Sequence, residues 1–466
     1  MIGRLVIVHL AMFLIPRCAI SQTDIDSTLL HRYGDTVQRF LEIGLREGQS
    51  YHMLKELTTV AGHRLSGSEG AERAVELTKN LMLGLGFENV HTEQVMVPRW
   101  VRGSVEECLL MDLKNHRAVP LSVCALGGSI ATPEGGIEAA VIEVKSFEEL
   151  ASLGEAARGN IVLFNRPFDP GKLNTFESYV GAVDQRSRGA IEAAKVGAVA
   201  ALVRSMTHAA DDVPHTGMMN YDEEIPRIPA AAVSTRDADS LSVLLHQRQS
   251  VTLRLTLTCQ TLPDVPSSNV IGEIRGSEHP EEIIVVAGHL DAWDKGTGAH
   301  DDGAGCVQAI EAVRLIKSLG LTPKRTIRAV MFMNEENGMR GAKAYPIAPE
   351  RAGETHIAAM ESDRGGFAPR GISVHDDSVA LQKVRRWSVL FERLNAGTIQ
   401  MGYSGVDIAP LKERGVHAFG LDVETHRYFD YHHSDNDTID KVNPRELELG
   451  AIVEALFCYL VSEEGL

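Results

Sequence analysis

The sequence contains no block or stripe of basic residues. Its 466 residues include 63 acidic and 46 basic side chains, which gives a formal net charge of −17 at pH 7. Nucleic acids and anionic membrane surfaces attract clustered Lys and Arg, so this charge balance argues against both. We therefore expect neither nucleic acid nor a membrane as a partner.

Long apolar runs are also scarce. The one candidate follows Arg4, and its apolar core is shorter than the roughly 20 residues that span a bilayer. Ala19-Ile20-Ser21 follows it as a small-x-small cleavage site. This pattern predicts a signal peptide over residues 1–21 and hence a secreted protein. Its compartment would be the periplasm in a bacterium, or the lysosome or another secretory compartment in an animal.

Paired cysteines are missing as well. The sequence has six cysteines, but they are scattered without the spacing of a metal site. Cys18 lies in the predicted signal peptide, which leaves an odd number in the mature chain. The sequence thus predicts neither a disulfide framework nor a thiolate metal site, and it contains no internal repeat.

Histidines and carboxylates, in contrast, are concentrated in four short segments that follow or interrupt apolar runs. These segments are residues 288–305, 334–337, 361–363 and 432–435. In α/β proteins such positions fall at strand ends, where sites are built. Imidazole and carboxylate ligands suit zinc, and two ions about 3.5–4 Å apart can share one carboxylate. The residue types therefore predict a site for a pair of metal ions.

At these segments the sequence resembles the co-catalytic di-zinc exopeptidases. The resemblance also covers nearly all of the mature chain outside the metal motifs. Because the motifs occur in family order and at family spacing, together they are far more specific than any one alone. They are GHRLSGSEGAERA (62–74), AIEAAKVGAVAALVRS (190–205), PHTGMMNY (214–221), GHLDAWD (288–294), GAHDDGAG (298–305), PKRTIR (323–328), NEENG (334–338), MESDRGG (360–366) and YHHSDNDT (431–438).

The resemblance implies a role for each motif residue around two Zn²⁺ ions per chain. It places His289 and Asp363 on one ion, Glu336 and His433 on the other, and Asp301 between them as the bridging ligand. Glu335 would be the general base that takes a proton from a water held at the ions. Asp291 would accept the free ring N–H of His289 and fix its tautomer. The family also implies a cis peptide bond between Asp301 and Asp302.

Other polar residues near these motifs have two interpretations. For His300 and His432, a structural role is favoured over metal binding. Tyr403 and Asp407 lie in a segment that lines the substrate pocket of related aminopeptidases, where Tyr403 would donate a hydrogen bond to the oxyanion and Asp407 would be structural. His215 is either a binding group for a substrate terminus or an ordinary loop histidine.

The order of predicted elements indicates an α/β fold. After residue 265, strands alternate with helices, which predicts a mostly parallel mixed sheet flanked by helices. Residues 22–105 would form the first part of this peptidase domain and residues 263–466 its catalytic part. Residues 106–262 resemble a protease-associated insert, rich in short strands with one helix over 188–196. TLPDVPSSN (261–269) is interpreted as a Pro/Ser linker.

Together these expectations describe a secreted zinc exopeptidase that acts on short peptides, most simply a dipeptidase or carboxypeptidase for unblocked dipeptides. The family further implies a homodimer. A general aminopeptidase would have the same metal site and a different pocket. A non-catalytic, receptor-like relative would have lost ligands, whereas this set is complete. A single-zinc glutaminyl cyclase relative would not need the insert.

Overall fold

A computed structural model describes residues 22–112, 117–247 and 250–466. The predicted signal peptide over residues 1–21 lies outside the described residues. Within the described part of the chain, no helix is both long and apolar enough to cross a membrane.

The described residues form two eight-stranded sheets. Their strands, in chain order, are β1 (Glu88–Val101), β2 (Glu106–Asp112), β3 (Arg117–Leu121), β4 (Val123–Ala125), β5 (Ile137–Val144), β6 (Ile161–Phe164), β7 (Ala200–Arg204), β8 (Ala230–Val233), β9 (Thr252–Leu257), β10 (Gln260–Ile274), β11 (His279–His289), β12 (Arg325–Phe332), β13 (Thr355–Glu361), β14 (Pro369–Val374), β15 (Thr398–Met401) and β16 (His417–Val423).

Helices cover the sheets and connect their strands. In chain order they are α1 (Gln22–Glu47), α2 (Ser50–Val60), α3 (Glu69–Gly84), α4 (Phe147–Leu153), α5 (Thr175–Val180), α6 (Val183–Lys195), α7 (Thr235–Gln247), α8 (Ala304–Ser318), α9 (Arg340–Ala344), α10 (Ser378–Val384), α11 (Ser388–Phe391), α12 (Ala409–Lys412), α13 (Tyr428–Tyr431) and α14 (Pro444–Glu464).

The first sheet has the order β1-β10-β12-β11-β13-β16-β14-β15. Its central strands β12, β11, β13 and β16 run parallel, and antiparallel pairs lie toward the edges. Both faces of β11 are buried: Ile284 and Val286 pack in one core, and Ile283 and Val285 pack in the other. A parallel strand covered on both faces needs such a continuous apolar run. The predicted α/β fold with a mixed sheet flanked by helices is confirmed.

The second sheet is built from residues 106–257, between β1 and β10 of the first sheet. Its order is β3-β2-β9-β5-β6-β7-β8-β4. The sequence predicted one helix in this region, but the structure contains four, α4 to α7. The prediction missed α4 and α5, which have only seven and six residues, and also α7, which is as long as α6 with 13 residues. The predicted helix over 188–196 is the second half of α6.

The prediction of a linker at residues 261–269 was also wrong. This segment is part of β10 and pairs along its length with β1. Strand β12 pairs only with residues 270–274, so the first half of β10 has one free edge. Pro263 and Pro266 lie in that half, where a missing N–H costs no ladder hydrogen bond on the open side.

Candidate active site

The carboxyl ends of three adjacent central strands bring the site together. Strand β11 ends at His289 and pairs with both β12 and β13. Glu335 and Glu336 follow the end of β12, and Asp363 follows the end of β13. Asp301 comes from the loop after β11. Because parallel strands end at the same edge of the sheet, residues far apart in sequence meet here.

Asp301 lies between two groups of donor atoms. Its Oδ1 atom is 3.3 Å from Nε2 of His289, and that nitrogen is 3.6 Å from Oδ1 of Asp363. The other oxygen, Oδ2, is 3.2 Å from Nε2 of His433, and that nitrogen is 3.1 Å from Oε2 of Glu336. One carboxylate thus faces two separate sets of potential metal ligands.

These separations suit zinc. Ligand atoms about 2.0–2.1 Å from a tetrahedral ion are about 3.3 Å from one another. The four distances around Asp301 lie between 3.1 and 3.6 Å. Asp302 is also near His289 and Asp363. However, its carboxylate accepts the main-chain N–H groups of His289 and Gly305 at 3.1 and 2.9 Å. It therefore supports the loop, and its peptide bond with Asp301 is cis, as predicted.

Both candidate histidines use Nδ1 for a contact that leaves Nε2 free. Nδ1 of His289 lies 3.0 Å from the main-chain oxygen of Asp291, and a carbonyl can only accept, so Nδ1 carries the hydrogen. Asp291 is therefore the acceptor, as the family resemblance implies, and it accepts through its main-chain oxygen. In His433, Nδ1 is 3.3 Å from the main-chain oxygen of Thr216, which can accept in the same way.

The Asp291 carboxylate instead shapes the turn that carries the two glutamates. Its Oδ1 atom accepts the N–H groups of Asn334 at 2.7 Å and Glu335 at 3.0 Å. Asn334 has a φ of 75°, so the chain turns sharply as β12 ends. Adjacent side chains on a strand point to opposite faces, and this turn allows Glu335 and Glu336 to face the same site.

Two buried residues that hold the metal loop were missed by the sequence analysis. The Asp437 carboxylate accepts the N–H groups of His300 at 2.7 Å and Asp301 at 3.0 Å. The fully buried Arg64 guanidinium donates to three main-chain oxygens that flank the loop, those of Leu290, Thr297 and Gly298. The motifs containing Arg64 and Asp437 were recognised, but a pattern of letters does not reveal contacts with main-chain atoms.

Burial and charge set the pKa values of the protein's own groups here. Burial is the main cause that raises the pKa of Glu335 well above its usual value. The charge of His289 opposes this effect, and the charges of Glu336 and Asp363 add to it. Burial lowers the pKa of His433, but Glu336 and Asp301 outweigh it and raise the pKa to about 9. A carboxyl group that retains its proton readily is suited to proton transfer.

His300 and His432 both lie close to the site. His300 stacks against both Phe367 and Tyr431, at centroid distances of 4.3 and 5.2 Å, which supports the expected packing role. Burial lowers its pKa to about 4. His432 stacks on His433 at 3.5 Å, and its Nε2 is 3.7 Å from Oδ2 of Asp301. His432 therefore faces the site, although its Nε2 lies farther from Asp301 than the Nε2 of His433 does.

The three candidate substrate-binding residues lie in different environments. Tyr403 is in the cleft wall with 47% of its surface exposed. Asp407 is fully buried, and burial followed by the charge of Glu361 raises its pKa well above normal. His215 is also buried, and its Nδ1 donates to the main-chain oxygen of His432 at 2.8 Å. Asp407 and His215 are enclosed by protein, which favours the structural interpretation of both. Contact of Tyr403 with substrate stays a prediction.

A cleft of about 1220 Å³ opens in front of the metal ligands. One wall comes from the region of the second sheet, including residues 171–180, Arg186 and Met218. Residues from 398 to 406 also line the cleft. Phe176, which belongs to the second-sheet region, stacks at 5.5 Å on Tyr428, which belongs to the part of the chain that forms the first sheet.

Comparison with known proteins supports the same interpretation. Residues 269–456 match the model of peptidase family M28. Carboxypeptidase Q of Bos taurus is 36% identical over 434 residues, which cover 92% of this chain and 89% of that protein. A solved peptidase M28 precursor from Shewanella amazonensis SB2B has 33% identity and a TM-score of 0.87, covering 95% of this chain and 97% of that chain. A zinc aminopeptidase from Bacillus subtilis, with 20% identity and a TM-score of 0.62, covers 88% of this chain and 94% of that chain and shares the fold.

The fold and the site define a zinc metallo-exopeptidase, and the chain belongs to peptidase family M28. Within that family it is similar to carboxypeptidase Q over nearly its whole length. The family resemblance inferred from the motifs is confirmed.

Proposed function

We propose that this exopeptidase is a secreted dipeptidase that holds two zinc ions and hydrolyses unblocked dipeptides. The observation that carries the two-ion site is the position of Asp301, whose two carboxylate oxygens face separate His–carboxylate sets. Secretion is supported by the apolar stretch after Arg4, and dipeptides are the substrates that the family resemblance of the motifs implies.

His289 and Asp363 would hold one ion, Glu336 and His433 the other, and Asp301 both. When bound, the zinc pair would supply Lewis acidity toward water and the substrate carbonyl. Glu335 lies within reach of this site, with Oε2 4.0 Å from Nε2 of His289. As general base it would accept a proton from the attacking water at its carboxylate and then donate that proton to the leaving amine.

The surrounding residues would keep these groups aligned. Asp291 holds the main-chain N–H of Glu335, and Asp437 holds that of Asp301. The main-chain oxygens of Asp291 and Thr216 would keep the Nε2 atoms of His289 and His433 free for ligation. Such outer contacts orient the ligands, and removing one typically lowers metal affinity by about 10- to 100-fold.

The test is a panel of dipeptides in unblocked, N-acetylated and C-amidated forms, with the mature protein saturated with zinc. Cleavage of the unblocked forms and resistance of both blocked forms is expected. Equal cleavage of C-amidated or longer peptides would make the protein a general aminopeptidase. Zinc binding without cleavage of any peptide would favour the non-catalytic alternative and overturn the proposal.

A further inference from the structure

One cation in the cleft has no anionic partner. Among described residues, the cleft is lined by four cationic side chains. Lys172 lies 3.3 Å from Glu177, Arg364 is paired with Asp422, and Arg370 lies 3.5 Å from Glu424. Within the described part of the chain, the remaining one, Arg186, has no carboxylate oxygen within 4.0 Å.

Arg186 is nonetheless buried, with 7% of its surface exposed. Its Nη2 donates to the hydroxyl of Tyr179 at 2.7 Å, and its Nη1 is 3.4 Å from the main-chain oxygen of Thr216. Its Nε has no hydrogen-bond partner among described residues. A guanidinium group has five N–H donors, and a buried charge is costly unless an anion pairs with it. The protein's own groups leave that requirement unmet.

The neighbouring histidine does not meet it either. Nη1 of Arg186 is 3.3 Å from Nδ1 of His433. If His433 binds zinc through Nε2, its Nδ1 carries a hydrogen, and Thr216 can accept that hydrogen. Two donors then face each other, so Arg186 makes no hydrogen bond to His433 and its charge remains available to the cleft.

We propose that Arg186 binds the free α-carboxylate of the substrate's C-terminal residue, an inference that rests on the proposed dipeptidase function. Arginine offers parallel N–H groups that match a carboxylate. Arg186 lies beside His433, and one residue of extended chain spans about 3.3–3.6 Å. A carboxylate held there would therefore end the substrate about one residue beyond the scissile bond.

The charge of the site favours such a group. Asp301, Glu335, Glu336 and Asp363 face the same cleft, and the α-carboxylate of the substrate is repelled by any of them that metal does not neutralise. An arginine without a carboxylate partner of its own offsets this repulsion. Its position in the wall contributed by the second-sheet region would make that region a determinant of specificity.

The experiment compares free and amidated dipeptides across variants. We expect Arg186→Gln to lower the ratio of kcat/KM for the free dipeptide to kcat/KM for its C-amide by about 10- to 100-fold, the effect of a hydrogen bond to a charged group. Arg186→Lys should restore part of the ratio, with zinc content unchanged. The matched control is Arg370→Gln, a cleft cation near Glu424, which should leave the ratio unchanged.

Calorimetry gives a readout that does not depend on turnover. A phosphinic pseudodipeptide with a free carboxylate should bind Arg186→Gln about 10- to 100-fold more weakly than it binds the wild-type protein. Its C-amide should bind the variant and the wild-type protein with the same affinity. Equal losses of affinity for the acid and the amide would mean that Arg186 only supports the fold or His433, and would overturn the proposal. Unchanged kcat/KM ratios and unchanged affinities in Arg186→Gln would overturn it as well. If wild-type protein cleaves no peptide, the dipeptidase function fails, while calorimetry still decides whether Arg186 binds a carboxylate.

Discussion

The carboxylate of Asp437 accepts the main-chain N–H of Asp301 at 3.0 Å, across 136 positions of sequence. Its other oxygen accepts the N–H of His300 at 2.7 Å. Burial raises the pKa of Asp437 to about 7. These two hydrogen bonds hold the loop that presents the proposed bridging ligand, so the geometry of the metal site depends on a residue that does not touch the metal.

Asp437→Asn should therefore weaken zinc binding by about 10- to 100-fold. An amide has one oxygen where the carboxylate has two, so its NH₂ group would face a main-chain donor that needs an acceptor. Competition with a chelator of known affinity measures the effect. Asp440→Asn, a change at an exposed carboxylate three residues later, should leave zinc affinity unchanged. Equal affinity in Asp437→Asn and wild type would contradict this role.

The two adjacent histidines should behave differently toward zinc. Nε2 of His433 lies within 3.2 Å of both Asp301 and Glu336, whereas Nε2 of His432 approaches only Asp301, at 3.7 Å. We expect His433→Ala to lose one of two zinc ions per chain and His432→Ala to retain both. Metal analysis after dialysis decides this, and loss of zinc in His432→Ala would identify His432 as a ligand instead.

Glu335→Gln should abolish most of the activity without loss of zinc. The substitution preserves side-chain size and removes the group that accepts and returns the proton, a contribution of about 10²- to 10⁴-fold in rate. The reduction should appear in kcat for dipeptide hydrolysis at saturating zinc, with zinc content measured in the same samples. Undiminished kcat would assign the general base to another residue.

Much of the fold could be predicted from local patterns. The run at 283–287 is apolar at every position, as a strand buried on both faces requires, and it forms the middle of β11. Residues 261–269 were misassigned because two prolines and two serines usually indicate a linker, whereas here β1 supplies a pairing partner along one edge. A strand stabilised by a partner more than 150 residues away leaves no signal within its own segment.

The site could be predicted as a list of residues but not as a set of contacts. The metal ligands that the family resemblance implies meet around Asp301. Asp291 was assigned as the acceptor of the ring N–H of His289, but the sequence does not show that its main-chain oxygen, and not its carboxylate, makes this contact. Arg186 was missed because its proposed role rests on the lack of a carboxylate partner among the described residues, and a sequence does not show which side chains are neighbours.

Far from the cleft, a buried pair of glutamates should make stability depend on pH. Glu448 accepts hydrogen bonds from the N–H and hydroxyl of Ser50, at 3.2 and 2.7 Å, where α2 begins. Burial, followed by the charge of Glu311, raises the pKa of Glu448 from 4.5 to about 8. A raised pKa in the folded state means that the stability contributed by the protonated form is fully present below pH 4.5 and is lost as the pH rises through 8.

Glu448→Gln removes this titration and keeps a neutral side chain of similar size. Relative to wild type, the variant's free energy of unfolding should therefore increase between pH 5 and pH 9, by on the order of 4 kcal/mol. Urea unfolding at both pH values, with zinc saturating, measures this difference and cancels the titration of groups that do not interact with Glu448. Glu76→Gln, a change at an exposed glutamate in α3, should show the same difference from wild type at both pH values. A Glu448→Gln curve parallel to wild type would mean that Glu448 remains ionised in the folded protein across this range.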